Sequence, residues 1–340
     1  ILGTVPGHEL THRKKNKLDM FIGNWLLAFS WDCAFAIEHV YGHHKNVGLP
    51  NDPATAKRGE NLYGFILRAI YKEQIVAWKI ETDRLKRRGY HLLGSHNKML
   101  IGYFRSIIIT IIAFYIGGII GVATFMLCAF LAKSLLETIN YSEHYGLIRL
   151  KGEPVSTRHS WNSNHAMSGI MLCNVNRHSS HHHSSNLKFW ELDTLPDAPM
   201  LPHGYLAMIY IAIFSPFLYH KMMEKKLKDW ELNYASDEEK KLYNVVLDAN
   251  THGRRISKPG LTMHELDDQV LNVLEQSEYK EFVVHKTGHG LGMDVHEDPY
   301  VMRKNYEKLE KGMIITIEPG LYKVNNLGVR IEDDVLITND

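Results

Sequence analysis

Cysteine is scarce in this chain: there are three in 340 residues, Cys33, Cys128 and Cys173, with no C-x-x-C pair. That excludes a disulfide framework and a thiolate zinc site, and it fits a reducing compartment. Proline is scarce as well, at 11, and 45% of the residues are apolar, which argues against disorder and leaves enough chain for two domains. The opening residues ILGTVPGHEL carry no initiator methionine, basic region or apolar run, so no signal peptide is expected and the chain reads as beginning mid-protein. Flavin, haem and iron–sulfur motifs are all lacking, so electrons for any redox reaction must arrive from outside.

Charge is missing altogether from Ser106 to Ala132, SIIITIIAFYIGGIIGVATFMLCAFLA. At ~1.5 Å per residue this run is long enough to cross a ~30 Å hydrocarbon core, and it predicts a transmembrane helix. Met20 to Ile37, interrupted by Asp32, and Leu201 to Tyr219, with His203 and Pro216, are weaker candidates that also read as buried core helices. Basic runs at residues 13–17, 84–91 and 221–228 flank these segments and mark the cytosolic face by the positive-inside rule. The net charge of +1 conceals an asymmetry, because residues 1–235 are basic on balance and residues 236–340 acidic.

What the chain has in excess is histidine. Of 21 histidines, 14 fall between His8 and His183, mostly in tight groups. HELTH places His8 and His12 at i and i+4. EHVYGHH places His39 and His43 the same way, with His44 next to them, and RHSSHHH gives His178, His181 and His182 with His183 beyond. Such pairs project from one helical face. His144 stands alone in NYSEHYGL, just past the long apolar run. Neutral imidazole suits iron, zinc or copper, and this number of clustered histidines exceeds the needs of one ion. On a regular 3.6-residue helix, His44 is rotated by about 100° from His43 and serves from the side, which favours ligands shared between two ions. HELTH alone also fits the H-E-x-x-H helix of a zinc peptidase with Glu9 as base, but that reading leaves the other groups unused.

These motifs, with HSWNSNH (159–165) and LPHGY (201–205), resemble the histidine boxes of the membrane-bound non-haem di-iron alkane monooxygenases, within the fatty-acid desaturase and hydroxylase superfamily. NYSEHYGL is characteristic of the alkane hydroxylases. The resemblance covers about residues 1–230. It implies a mainly α-helical transmembrane bundle, truncated because the family's chains normally start with further transmembrane helices. It also implies two non-haem iron ions held by His8, His12, His39, His43, His44, His144, His178, His181 and His182. The activity implied is O2-dependent terminal hydroxylation of medium-chain alkanes to 1-alkanols, with rubredoxin and its reductase supplying electrons. The setting implied is the bacterial inner membrane, crossed several times, with the metal site on the cytoplasmic side. An apolar slot between helices has to recognise a substrate with no polar handle. No nucleic-acid partner is expected.

The acidic remainder differs in kind. TGHGLGMDVHEDP (287–299), GMIITIEPGLY (312–322) and GVRIEDDVLIT (328–338) alternate apolar and polar positions between glycines, as sheet segments do. They resemble the C-terminal part of the pita-bread metallopeptidases of the Xaa-Pro aminopeptidase and prolidase type, implying a partial α+β fold over residues 236–340. The resemblance makes His289, Glu318 and Glu332 metal ligands for manganese, cobalt or zinc, and puts His285 and His296 near the scissile bond. Two further aspartate ligands lie outside this stretch in that family, so the hydrolase site is incomplete. Residues 227–241, with no apolar face in this reading, form the expected join. Three functional classes follow: a membrane oxidoreductase, a metal-dependent Xaa-Pro hydrolase, and an inactive chimera with neither site complete.

Overall fold

The computed structural model describes residues 3–323 and 327–338. The chain divides into two compact units, Ile1–Tyr234 and Ala235–Asp340.

The first unit is helical. Helix α1 (Thr4–His12) carries HELTH and packs on α2 (Lys17–Ala28), whose N-terminus is capped by the Asn16 side chain accepting from the amides of Leu18 and Asp19. Glycine makes this crossing possible. A Cβ on Gly23 would lie 2.9 Å from Leu10 Cβ and 3.2 Å from the Gly7 carbonyl oxygen. Helix α3 (Phe35–Glu38) runs into a π turn, His39–His43, and then into α4 (His44–Asn46). The expected segment Met20–Ile37 is therefore not one span, since α2 ends at Ala28 and a turn separates it from α3. Helix α5 (Leu62–Arg87) and the long element α6 (Lys98–His144) follow, each capped by an asparagine, Asn61 and Asn97. The short helices α7 (Ala166–Met171) and α8 (His178–His183) precede α9 (Tyr205–Phe214) and α10 (Pro216–Asn233). The expected span 201–219 is split at Ser215, because Pro216 lacks an N–H and disfavours helical geometry in the residue before it.

The uncharged run expected as a single transmembrane helix is instead folded in two. Gly118 has φ 58° and ψ −147°, a break that divides α6 into two arms. A Cβ on Gly121 would collide with the Ala113 carbonyl oxygen across the turn. Both feet of this hairpin rest on the same ground. Tyr103 donates to Gln74 Oε1 (2.8 Å) and Lys133 to Glu73 Oε2 (2.7 Å), neighbouring positions on α5. Near them, Ser106 donates to the Ala28 carbonyl (3.1 Å), Trp31 donates to Thr110 Oγ1 (3.2 Å), and Lys133 lies 2.8 Å from Asp32. A straight helix would hold residues 103 and 133 ~45 Å apart. The tip is bare: Tyr115 and Ile116 are each 83% exposed. Among the described residues, α6 is the one helical element long and apolar enough to cross a membrane.

The second unit is α+β. Helices α11 (Asp237–Ile256) and α12 (Met263–Glu275) both begin with reciprocal capping boxes, Ser236 with Glu239 and Thr262 with Glu265. The strands are β1 (Gly288–Gly290), β2 (Glu297–Val301), β3 (Ile314–Ile317), β4 (Gly320–Lys323), β5 (Leu327–Arg330) and β6 (Asp333–Leu336). They pair antiparallel as a four-stranded sheet, β2-β1-β3-β6, and a hairpin, β4-β5. Asn250 on α11 donates to the Ile317 carbonyl at 2.9 Å, tying helix to sheet. The expected join has more order than its composition suggests, because α10 continues to Asn233 with Leu227 and Trp230 buried.

The α1–α2 crossing makes a prediction. Gly23→Leu should destabilise the first unit by ~1–3 kcal/mol through overpacking. It should also displace His8 and His12, read as a lowered thermal midpoint and weakened metal retention. An unchanged midpoint would show that the helices separate freely.

Candidate metal centre

Four helical segments converge on one buried volume. Helix α1 brings His8 and His12; the α3–α4 segment brings His39, His43 and His44; the C-terminal end of α6 brings His144; and α8 brings His178, His181 and His182. The side chains sort into two quartets. His8, His12, His39 and His181 form one, and His43, His144, His178 and His182 the other, with ligand atoms in each quartet within 4.8 Å of one another and all eight residues buried. The quartets interleave. His39 and His43 go to different quartets, as do His181 and its neighbour His182.

His44 lies between them. Its Nε2 is 3.2 Å from those of both His39 and His181, and its ring centroid is 4.4 Å from that of His182. The backbone explains this. In the π turn, the His44 amide donates to the His39 carbonyl, an i→i+5 bond, and the wider turn brings residues five apart onto one side. The expectation that His44 serves from the side assumed a regular helix; the widened turn is what brings its ring beside members of both quartets.

The nitrogens are spaced as ligands of shared ions would be. His8 Nε2 lies 2.9 Å from His39 Nε2 and 3.2 Å from His12 Nε2. His178 Nε2 lies 3.0 Å from His144 Nε2 and 2.9 Å from His182 Nε2. With metal–nitrogen bonds of ~2.1 Å, ligands at right angles stand ~3.0 Å apart. A ring nitrogen carries either a proton or a lone pair, so three converging on one point cannot all satisfy each other without a cation.

The far sides of the rings are anchored. His43 Nδ1 is 2.9 Å from Asp52 Oδ2, which also accepts from Thr55 Oγ1 at 2.6 Å. His144 Nδ1 is 3.1 Å from the His159 carbonyl oxygen, and His178 Nδ1 is 3.1 Å from Glu143 Oε1. Such partners fix the tautomer and aim Nε2 inward. In the first quartet, Phe35 stacks on His39 at 4.5 Å. Asp52 and the buried His159 were not singled out as site residues from sequence; Asp52 sits in a polar loop without a spacing signal. Glu143 lay within a quoted motif, directly before His144. Glu9, the base of the zinc-peptidase alternative, is instead bound by Arg13 at 2.9 Å. His91 and His96 are exposed and outside both quartets.

Burial disfavours the charged form of eight of these imidazoles. Desolvation, reinforced by neighbouring histidines, holds His8, His12, His39, His44, His178 and His182 well below the ordinary histidine value and brings His144 and His181 down to about 3. Neutral imidazole is the ligating form.

In the second unit, His289, Glu318 and Glu332 also come within 4.8 Å of one another, with Glu332 exposed. Arg330 claims both carboxylates, at 3.1 Å from Glu318 Oε2 and 3.0 Å from Glu332 Oε2, while His289 Nε2 stands 3.4 Å from Glu318 Oε1. His285 lies 3.2 Å from the Tyr322 hydroxyl, and the His296 ring centroid is 4.4 Å from that of His289.

Two interleaved polyhistidine clusters at the meeting point of helix ends define the first unit, and comparison with known proteins places it. Residues 1–212 match the family described as fatty acid desaturase, and residues 162–339 match metallopeptidase family M24. The chain belongs to the fatty acid desaturase family and, through its C-terminal part, to metallopeptidase family M24. The ranges overlap at 162–212; in the fold that stretch lies within the first unit and supplies His178, His181 and His182. Alkane 1-monooxygenase 1 of Pseudomonas aeruginosa is 35% identical over 242 residues, covering 70% of this chain and 62% of that protein. Alkane 1-monooxygenase of Acinetobacter baylyi is 38% identical over 227 residues, 65% of this chain and 55% of that one. The xylene/toluene monooxygenase hydroxylase component XylM of Pseudomonas putida is 30% identical over 241 residues, 70% of this chain and 64% of that one. The chain thus spans less than two thirds of the length of these relatives. Among solved structures, the prolidase from Pyrococcus horikoshii OT3 is 41% identical, covering 32% of this chain and 31% of that chain at a TM-score of 0.31. The prolidase from Pyrococcus furiosus is 37% identical, covering 32% of each chain at 0.31.

The lowered histidine values generate a prediction. Between pH 6.5 and about 3 the unfolded chain binds protons that the folded site refuses, so stability falls as pH falls through that window. The thermal midpoint of metal-free protein in detergent should therefore drop steadily from neutral pH to about pH 4. A flat profile would mean that the rings are solvated.

Proposed function

We propose that the first unit is the catalytic part of a membrane-bound non-haem di-iron alkane 1-monooxygenase that hydroxylates medium-chain alkanes at the terminal carbon. The observation that carries this is the pair of interleaved, buried histidine quartets, found in a chain related to alkane 1-monooxygenases. The donor set fits: nine imidazoles converge, His43 and His144 with Nδ1 hydrogen-bonded to a carboxylate and a carbonyl, and His178 with Nδ1 beside the Glu143 carboxyl. His8, His12, His39 and His181 hold one iron, His43, His144, His178 and His182 the other, and His44 serves between them. Two iron ions there supply the redox chemistry that O2 activation requires.

The remaining work belongs to the chain. A small cavity reaches the quartets at His8, His39 and His178, with Val5, Phe35, Leu136, Ile139 and Val175 on its apolar side. Asn140 and Glu143 provide its polar positions. Asp52, Glu143 and the His159 carbonyl hold the rings in their ligating orientation. Electrons come from rubredoxin, whose acidic surface complements the basic runs of this unit. The hairpin of α6 enters the bilayer of the bacterial inner membrane with both feet, and the histidines, on the cytoplasmic side.

The second unit, proposed as a partial M24 domain over residues 236–340, is inactive as a peptidase. Its donors do not fit a two-metal hydrolase, because among the described residues three come together, one is exposed, and Arg330 pairs with both carboxylates.

Metal analysis of the detergent-purified chain tests the proposal, with about two irons per chain expected. Asp52→Asn should weaken iron binding ~10–100-fold, while His91→Ala and His96→Ala leave it unchanged. A chain that binds zinc alone, or holds iron equally well as Asp52→Asn, would sink the reading. In sealed vesicles, with Cys128 and Cys173 replaced by serine, Ile116→Cys should react with an impermeant thiol reagent only from the side opposite to Arg88→Cys and Lys188→Cys. Labelling of all three from one side would refute the crossing.

A further inference from the structure

Beneath the first quartet lies a cluster of charges that ligation does not use. Lys133 Nζ stands 2.6 Å from Glu137 Oε1, 2.7 Å from Glu73 Oε2 and 2.8 Å from Asp32 Oδ2. The four side chains are between 0% and 7% exposed. They come from the turn before α3, from α5 and from α6. Of the three N–H donors of the ammonium group, one is donated to Glu73 Oε2, while Asp32 Oδ2 and Glu137 Oε1 stand at ion-pair distance with no hydrogen-bond partner among the described residues. Three ionised carboxylates around one lysine would leave two uncompensated negative charges away from water. Among the described residues no second cation contacts them. Protonation of the carboxylates removes that excess more cheaply than burial tolerates it, and the protons then belong to the cluster as a whole.

The cluster also communicates with the site. Glu137 uses its other oxygen to accept from Asn140 Nδ2 at 3.1 Å. Asn140 lines the cavity that His8, His39 and His178 border. On the other flank, Lys133 Nζ lies 5.7 Å from the centroid of Phe35, the ring that stacks on His39. A structural brace between helices would need one carboxylate per lysine, whereas this one has three and points its surplus at the cavity.

We propose that Asp32, Glu73, Glu137 and Lys133 form a buried proton store that opens onto the reaction cavity through Asn140. The proposal rests on reading the quartets as an O2-activating iron pair. Hydroxylation of a C–H bond by O2 consumes two electrons, from an external one-electron carrier, and two protons. The O–O bond breaks, one oxygen enters the C–H bond to give the alcohol, and the other leaves as water with both protons. The cluster keeps protons within reach of the cavity that Asn140 lines. Lys133 and the carboxylates are positioning residues in this scheme and touch neither substrate nor ligands.

The test uses the full chain in detergent. In metal-free protein at neutral pH, infrared spectra in H2O and D2O should show a protonated-carboxyl stretch that weakens in Glu137→Gln and in Glu73→Gln, two nearly isosteric changes. A band that neither substitution alters, nor Asp32→Asn, overturns the proposal. Asn140→Leu should leave that band and the iron content unchanged while lowering turnover with an excess one-electron donor at least about tenfold and enlarging the solvent isotope effect. Unchanged turnover and isotope effect in Asn140→Leu also overturn it. An unsubstituted chain that shows the band but binds no iron would refute the iron pair instead.

Discussion

Everything in the first unit is subordinate to one electrostatic constraint: nine imidazole rings have their lone pairs directed into a volume too small for water to mediate between them. Such a core is poor as hydrophobic packing and repulsive once protonated. It becomes favourable only around cations. The fold accordingly presents helix ends, not helix middles, to this volume: α1 closes with His12, α6 closes with His144, and α8 is little more than its histidines. In the segment from His39 to His44, three rings in six residues are brought to the site by one π turn.

How far this could be read from the chain depended on whether the signal was local. Histidines at i and i+4 state their helical face directly, and the motif groups did meet. What failed were inferences that needed long-range contact. The apolar run 106–132 has the length of one span, and it takes the break at Gly118 and the contacts of Tyr103 and Lys133 with adjacent residues of α5 to show that it doubles back. The Gly117–Gly118 pair was in plain view, but glycine in an apolar helix marks a close crossing as often as a turn. Asp52 gave no signal at all, since a carboxylate nine residues past a histidine in a polar loop resembles any surface acid. Lys133, the residue that ends the uncharged run, is among the buried charges of the unit.

The second unit shows the converse. Its strands and capping boxes agree with local sequence, and its three expected ligands do gather. Gathering is not sufficiency. Arg330, on the strand directly before Glu332, supplies from within the chain the positive charge that a metal would otherwise bring, so the carboxylates are satisfied without one.

The π turn between His39 and His43 couples two properties that are ordinarily separate. Such a turn is held open against the tighter α form by whatever its side chains bind. The i→i+5 bond from the His44 amide to the His39 carbonyl puts the two Nε2 atoms 3.2 Å apart, so in this stretch the helical phase and the placement of the rings are one variable.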